Sequence, residues 1–413
     1  MVSLVVTAGA IAAGAAAAYN FVVVPLAGTF AGQFEDFAAY AGAAHAVAAG
    51  TSPYAGFDAS TIVMSGFDYP PFTAVLLRPL AFLSTRWQDI TWLWLSLAAL
   101  VGGAVISARA LLPHTWPRAR IGVIAAVTFP PAAYNLWHGQ MNTIVFLLLA
   151  MALSDYLSGH RTRCGVILGL AASIKLAPIL LLLVLVRRGW WRAAGAGVAT
   201  CAVALAVGVA ALGWPVTWQY ISTVLPVLNR DNGWIYNQTW NGVFSRLAGH
   251  AVLFPATSLA WLHVLVLSVS LVTVAAALVV VRSGPRSRAA RGAEFGCGII
   301  AMVLVGSIAW YPVYVHLLIA VAAALGLAHE AGPHRRALVG WSLACVVGTG
   351  VIGATVIAAL TREGINAISS GPLWWAFLQA CSLPALLAAG LLAALIVALR
   401  RGVVISPSAA PAP

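Results

Sequence analysis

Five short stretches hold most of the side chains in this 413-residue chain that could do chemistry: GQFEDFAAY (32–40), FDYPPF (67–72), HGQMN (138–142), YNQTWNG (236–242) and AWYP (309–312). Asp36 and Asp68 are carboxylates able to accept a proton. Asp36 precedes Tyr40 by one helical turn, and Tyr69 follows Asp68. Asp36 is either a functional carboxylate or, with Glu35, part of a wet helix start where acids suit the dipole. Asp68 is either a second site carboxylate or a solvated loop residue, while Tyr69 with Pro70-Pro71 suits an interfacial turn. Gln140 and Asn142, after His138, enter an apolar stretch; they either donate to sugar hydroxyls or a phosphate, or tie helices together. Asn237, Gln238, Trp240 and Arg246 combine amides for hydroxyls, an aromatic face for C–H surface and a guanidinium for a phosphate oxygen. An aromatic belt explains Trp240 alone but not the cluster. His316, beyond Tyr311-Pro312, is either functional or a buried, hydrogen-bonded structural group.

These residues are islands in an apolar chain. Hydrophobic residues make up 62% of it and charged residues 8%, with mean hydropathy +0.95. So little charge over this length predicts an all-α polytopic membrane protein. About ten stretches are long enough to span: 2–27, 88–112, 119–136, 140–158, 192–213, 254–281, 295–310, 311–328, 337–360 and 374–399. A single integral domain is expected over 1–403, with 404–413 a disordered tail. Short interfacial helices are expected at 34–49 and 71–83, the second opened by its prolines. The five cysteines lack paired spacing, which argues against a disulfide framework or a zinc site, and the sequence calls for no metal or other cofactor.

The net charge of +12 reads as positive-inside bias rather than as a nucleic-acid surface. With the N-terminus cytoplasmic, the inner loops collect Arg118, Arg120, Arg161, Arg163, Arg187, Arg188, Arg192, Arg282, Arg286, Arg288, Arg291, Arg335, Arg336, Arg400 and Arg401; Arg78, Arg86, Arg230, Arg246 and Arg362 fall outside. This predicts a plasma-membrane protein with both termini cytoplasmic and the five polar stretches facing out. Residues 163–186 break the alternation, because arginines flank both ends while Lys175 and Pro178 sit near the middle. A re-entrant hairpin satisfies that pattern, provided protein or a water-filled cavity covers the irregular backbone; a plain span with a displaced loop is the alternative.

Taken together the motifs resemble the bacterial polyprenyl-phosphate-mannose-dependent mannosyltransferases of the GT-C superfamily, the group containing the mycobacterial phosphatidylinositol-mannoside α-1,2-mannosyltransferase. The resemblance rests on Asp36-Phe-Ala-Ala-Tyr40, Tyr69-Pro-Pro-Phe72, Gly139-Gln140-Met141-Asn142, Ser173-Ile-Lys175-Leu-Ala-Pro178 and Asn237-Gln-Thr-Trp240-Asn-Gly242 followed by Arg246, in order from about residue 32 to 250. It implies the GT-C fold, with Asp36 as general base in an inverting transfer of mannose from polyprenyl-phosphate mannose to a glycolipid or lipoglycan acceptor at the outer face. It further implies that Arg246, Gln140 and Asn142 meet the departing phosphate, with Lys175 either approaching from below or anchoring the hairpin. The chain departs from the family pattern where Pro312 and Val313 stand in place of a histidine after Trp310, with His316 a turn further on. Another lipid-linked sugar, such as arabinofuranose, is the near alternative. A lipid or sugar transporter is the distant one, and would predict internal symmetry and charges within several spans, which the sequence lacks beyond Lys175.

Overall fold

The computed structural model describes residues 35–57, 66–249, 259–349 and 381–401. The expected span 2–27, the tail 404–413 and parts of the expected spans 254–281, 337–360 and 374–399 lie outside those residues. α1 (Glu35–Ala48) is the helix expected at 34–49. It buries Phe37, Tyr40, Ala44 and Val47, one stripe at helical spacing. α2 (Pro71–Leu77) starts on Pro70-Pro71 and tightens into a 3-10 turn, Arg78–Phe82.

α3 (Thr85–Leu111) is unbroken. The next stretch, read from sequence as one span at 119–136, is two helices, α4 (Arg118–Thr128) and α5 (Pro130–His138). Pro130 forces the break, since the residue before proline avoids the helical region and Phe129 is extended (φ −79°, ψ 115°). α6 (Asn142–Ser158) follows.

The next segment settles into a hairpin. α7 (Arg161–Ile174) stops at Lys175, which is extended, and a 3-10 turn at Ala177–Leu180 leads into α8 (Leu181–Arg187). At one end Arg163 pairs with Asp155; at the other Arg188 Nη1 reaches Tyr156 Oη at 3.4 Å. Both ends therefore return to the foot of α6. The tip meets its head, where Lys175 Nζ donates to Asn142 Oδ1 at 2.8 Å. Head and foot are separated by the 17 residues of α6, about 25 Å. Buried Glu294 clamps the foot, pairing with Arg188 at 2.9 Å and accepting from Tyr156 at 3.1 Å.

α9 (Trp191–Leu212) packs along α7. Beyond it come α10 (Trp214–Gln219), a π-type turn at Tyr220–Val224, α11 (Leu225–Leu228) and α12 (Trp240–Leu247). Next are α13 (Ala260–Val279) and α14 (Arg288–Val305). A 3-10 turn at Tyr311–His316 runs into α15 (Leu317–Glu330), then α16 (Arg335–Val347) and α17 (Leu383–Arg401). Among the described residues there is no strand, only one isolated bridge between Asn237 and Trp310.

Five of the described helices are long and apolar enough to cross a membrane: Thr85–Leu111, Trp191–Leu212, Ala260–Val279, Tyr311–Glu330 and Leu383–Arg401. α14, expected at 295–310, begins earlier and carries Glu294 and Arg291, which shortens its apolar run. Trp191, Val198 and Val203 on α9, and Trp261, Val264, Leu267, Leu271 and Val272 on α13, are exposed. Apolar surface on that scale needs lipid rather than water. The protein is an all-α membrane protein.

Gly165 and Gly169 let α7 and α9 touch backbone to backbone: a Cβ on either would overlap the carbonyl oxygen of Ala193 or Gly197. Gly165→Val is expected to destabilise the protein by at least about 1–3 kcal/mol through overpacking. Gly195→Ala on α9, with open space around it, should leave stability unchanged or slightly raised. Thermal unfolding in detergent checks both.

Candidate active site

Four chain segments converge at the head of α6, and each is fixed there for a local reason. α1 carries Asp36 in its first turn and Tyr40 in its second. The Tyr40 ring is buried against Tyr69 (centroids 5.2 Å) and Trp92 (5.5 Å), and its hydroxyl donates to Tyr69 Oη at 2.8 Å. Tyr54 Oη donates to the Tyr69 carbonyl at 2.7 Å, holding the Phe67–Pro70 turn. The α5–α6 corner turns on Gly139, whose φ of 68° is one that only glycine adopts cheaply. Its carbonyl accepts from Trp92 Nε1 at 2.6 Å, and the Gln140 N–H closes on the Asn135 carbonyl at 2.8 Å. The fourth segment is the hairpin tip, where the Thr73 hydroxyl donates to the Ile174 carbonyl at 3.0 Å, satisfying a helix-end acceptor.

The result is a continuous polar line. Lys175 Nζ donates to Asn142 Oδ1 at 2.8 Å, Asn142 Nδ2 to Gln140 Oε1 at 3.2 Å, and Gln140 Nε2 to Asp36 Oδ2 at 2.5 Å. Lys175 also lies 5.6 Å over the Tyr69 ring, a cation–π distance. His138 stacks on Tyr134 and places Nδ1 3.9 Å from Asp36 Oδ2. Asn142 is fully buried and Gln140 nearly so, yet the Asp36 side chain is 42% exposed. A part-exposed carboxylate held by an internal amide has the geometry of a proton acceptor.

Asp68 is half-buried beside this line. Burial pushes its carboxyl up to about 6, the Asp36 charge adds to the rise, and Lys175 opposes it.

Tyr311 and His316 border the same head. Tyr311 is buried, packs edge-on to Tyr134 at 5.3 Å and donates to the Thr349 carbonyl. Asn135 Nδ2 reaches the Pro312 carbonyl at 2.6 Å. His316 is buried, stacks on Phe146 and has no hydrogen-bond partner at Nδ1.

The remaining cluster is placed differently. Asn237 Nδ2 donates to the carbonyls of Asn232 and Ser307, and its Oδ1 accepts from Thr239 and the Ala309 N–H. Gln238 Nε2 donates to the carbonyls of Ile235 and Cys381. Arg246, fully buried, donates to the Trp234 and Asn237 carbonyls and to the Ser382 hydroxyl. Trp240 Nε1 donates to Thr273 on α13 at 2.9 Å. These groups hold the 229–240 loop onto residues 307–309 and 381–382. Most of their polar atoms find partners, as buried polar groups generally do, while Gln238 Oε1 and Arg246 Nη2 have none.

Trp92, Tyr54, Thr73 and Asn135 do the positioning and were not singled out in the sequence. Trp92 and Asn135 lie inside apolar helices, where the sequence pattern marks only a span; Thr73 and Tyr54 carry no motif. Among the described residues no three His, Cys, Asp or Glu side chains gather as a metal site.

The family model described as glycosyltransferase family 87 matches residues 67–307, more than half of the chain. The chain belongs to glycosyltransferase family 87. It is 28% identical over 194 residues to a polyprenol-phosphate-mannose-dependent α-(1-2)-phosphatidylinositol pentamannoside mannosyltransferase from Mycolicibacterium smegmatis, covering 45% of each chain. It is 29% identical over 199 residues to a polyprenol-phosphate-mannose-dependent α-(1-2)-phosphatidylinositol mannoside mannosyltransferase from Mycobacterium tuberculosis, covering 44% of this chain and 45% of the relative. The chain thus spans under half the length of these relatives. The family match takes in the α5–α6 corner and the hairpin tip.

Because the folded protein keeps the Asp68 proton to higher pH than an unfolded chain, whose carboxyl titrates near about 4, native stability falls as pH rises from about 4 to about 6 and levels off above. Asp68→Asn does not titrate. Its melting temperature should therefore rise relative to wild type across that window and run parallel above it. Trp92→Phe, which removes the donor to Gly139, should cost about 1–3 kcal/mol of stability through the carbonyl left unpaired, measured by the same unfolding assay.

Proposed function

We propose that this family 87 glycosyltransferase is an inverting mannosyltransferase that uses polyprenyl-phosphate mannose and a lipid-linked mannoside acceptor, with Asp36 as general base. The observation that carries the reading is the part-exposed Asp36 carboxylate, held through Gln140, in a chain whose relatives are described as polyprenol-phosphate-mannose-dependent. In this reaction the acceptor oxygen attacks C1 of the β-mannosyl phosphate as its proton passes to Asp36. The C1–O bond to phosphate breaks with its electron pair, so polyprenyl phosphate departs and the new linkage is α. The hydrogen bond from Gln140 orients the carboxylate, and His138 stands where it can share the proton's charge.

The membrane arrangement belongs to the same proposal. The foot of the bundle, with Arg163, Arg188, Arg282 and Glu294, faces the cytoplasm by the positive-inside rule; the head, with Asp36, opens outward. The 161–188 hairpin is then re-entrant from the cytoplasm, and the expected spans bring both termini inside the plasma membrane. A lipid-borne donor suits a site at this level, since its phosphate can reach the head while its chain stays in the bilayer.

Radiolabelled mannose supplied as polyprenyl-phosphate mannose should pass to membrane lipids with wild type. Asp36→Asn should reduce transfer by at least about 100-fold, within the range for removing a general base, while donor binding persists. Transfer at the wild-type rate by Asp36→Asn would sink the base assignment. Label moving only from polyprenyl-phosphate arabinofuranose would replace the donor.

A further inference from the structure

The line from Lys175 to Asp36 has a polarity that chemistry alone dictates. An ammonium only donates, so it must meet the oxygen of the Asn142 amide. Asn142 then has only its NH₂ left to offer toward Gln140, and so must meet the Gln140 oxygen. Gln140 is left with its NH₂ for Asp36, an acceptor. Each link is observed in this sense, at 2.8, 3.2 and 2.5 Å, and no other assignment of the two amides satisfies both charged ends. We infer that Lys175 is a positioning residue for the transfer reaction: from the hairpin tip it sets the orientation of the Asn142 and Gln140 amides, and through them aims the Asp36 carboxylate at the acceptor hydroxyl. The inference rests on the reading of Asp36 as base.

Three further features support it. Asn142 and Gln140 are buried, so no water competes for the amides and the ends decide their orientation. The tip itself is anchored independently of the charge, by the Thr73 hydroxyl on the Ile174 and Ser173 carbonyls; losing the ammonium therefore does not release the hairpin. Asp36, Asp68 and His316 are the titratable groups that act on Lys175 electrostatically, and none of them donates into the amide pair.

Asn142→Asp is the discriminating variant. It is isosteric and gives Lys175 a carboxylate partner, so the fold is kept. It has no N–H, however, so Gln140 must turn its NH₂ toward residue 142 and present its oxygen to Asp36, which repels it. The expected result is a fall in kcat of about 100-fold, the scale of a small misplacement of a reacting group, with KM little changed. Lys175→Met should fall in the same sense, and its effect should vanish in an Asn142→Leu background, because the two act as one unit. Infrared spectroscopy gives a readout independent of turnover: the Asp36 carboxylate stretch, taken in each background as the difference from the matching Asp36→Asn protein, should shift in both Asn142→Asp and Lys175→Met. An unshifted band in both overturns the inference, whatever the activity. Absence of mannose transfer by wild type would instead overturn the functional reading, and the band would still decide the role of Lys175.

Discussion

The structure turns on a constraint: a carboxylate and an ammonium must be held in fixed register within a largely apolar helix bundle. The protein meets it with a line of two buried amides joining Asp36 to Lys175. Each member comes from a different place in the chain: α1, the α5–α6 corner, the first residue of α6 and the tip of the α7–α8 hairpin. For the line to close, α1 must lie across Trp92, Gly139 must adopt its left-handed turn, and the hairpin must be as long as α6. The close glycine-mediated contact of α7 with α9 and the buried Glu294 clamp at the foot serve that last requirement.

Much of this frame was legible in the sequence because its signals are local. The spacing of Phe34, Phe37, Ala41, Ala44 and Ala48 marks α1, the paired prolines mark α2, and arginines at both ends of a segment with Lys175 and Pro178 inside it mark a chain that turns back. Where the reading differed, a local signal had been given too little weight or a tertiary one was invisible. Pro130 splits an expected span by simple backbone sterics. α14 starts seven residues early, capped by Ser287, and its buried Glu294 pairs with Arg188 from another segment, a partner no window of sequence reveals.

The two amide clusters make the same point about sites. Gln140-Met-Asn142 and Asn237-Gln238 are alike in composition, and either could recognise a sugar or tie backbone together. The fold separates them. The first pair lies between two charges and adjoins an exposed carboxylate. The second is enclosed by the carbonyls of residues 232, 235, 307 and 381, with Arg246 locked beneath it. The region matched by glycosyltransferase family 87 takes in both clusters, and the bracing bonds of the second explain how so polar a sequence can be buried.

The central claim is that the reacting sugar meets the protein at the head of α6 beside Asp36. The most direct test is a structure of the protein bound to a non-hydrolysable phosphonate analogue of polyprenyl-phosphate mannose. Mannose C1 facing the Asp36 carboxylate, with the Gln140–Asn142–Lys175 line intact beneath it, is the predicted result. A donor sugar seated at the foot, beside Arg188 and Glu294, would contradict it.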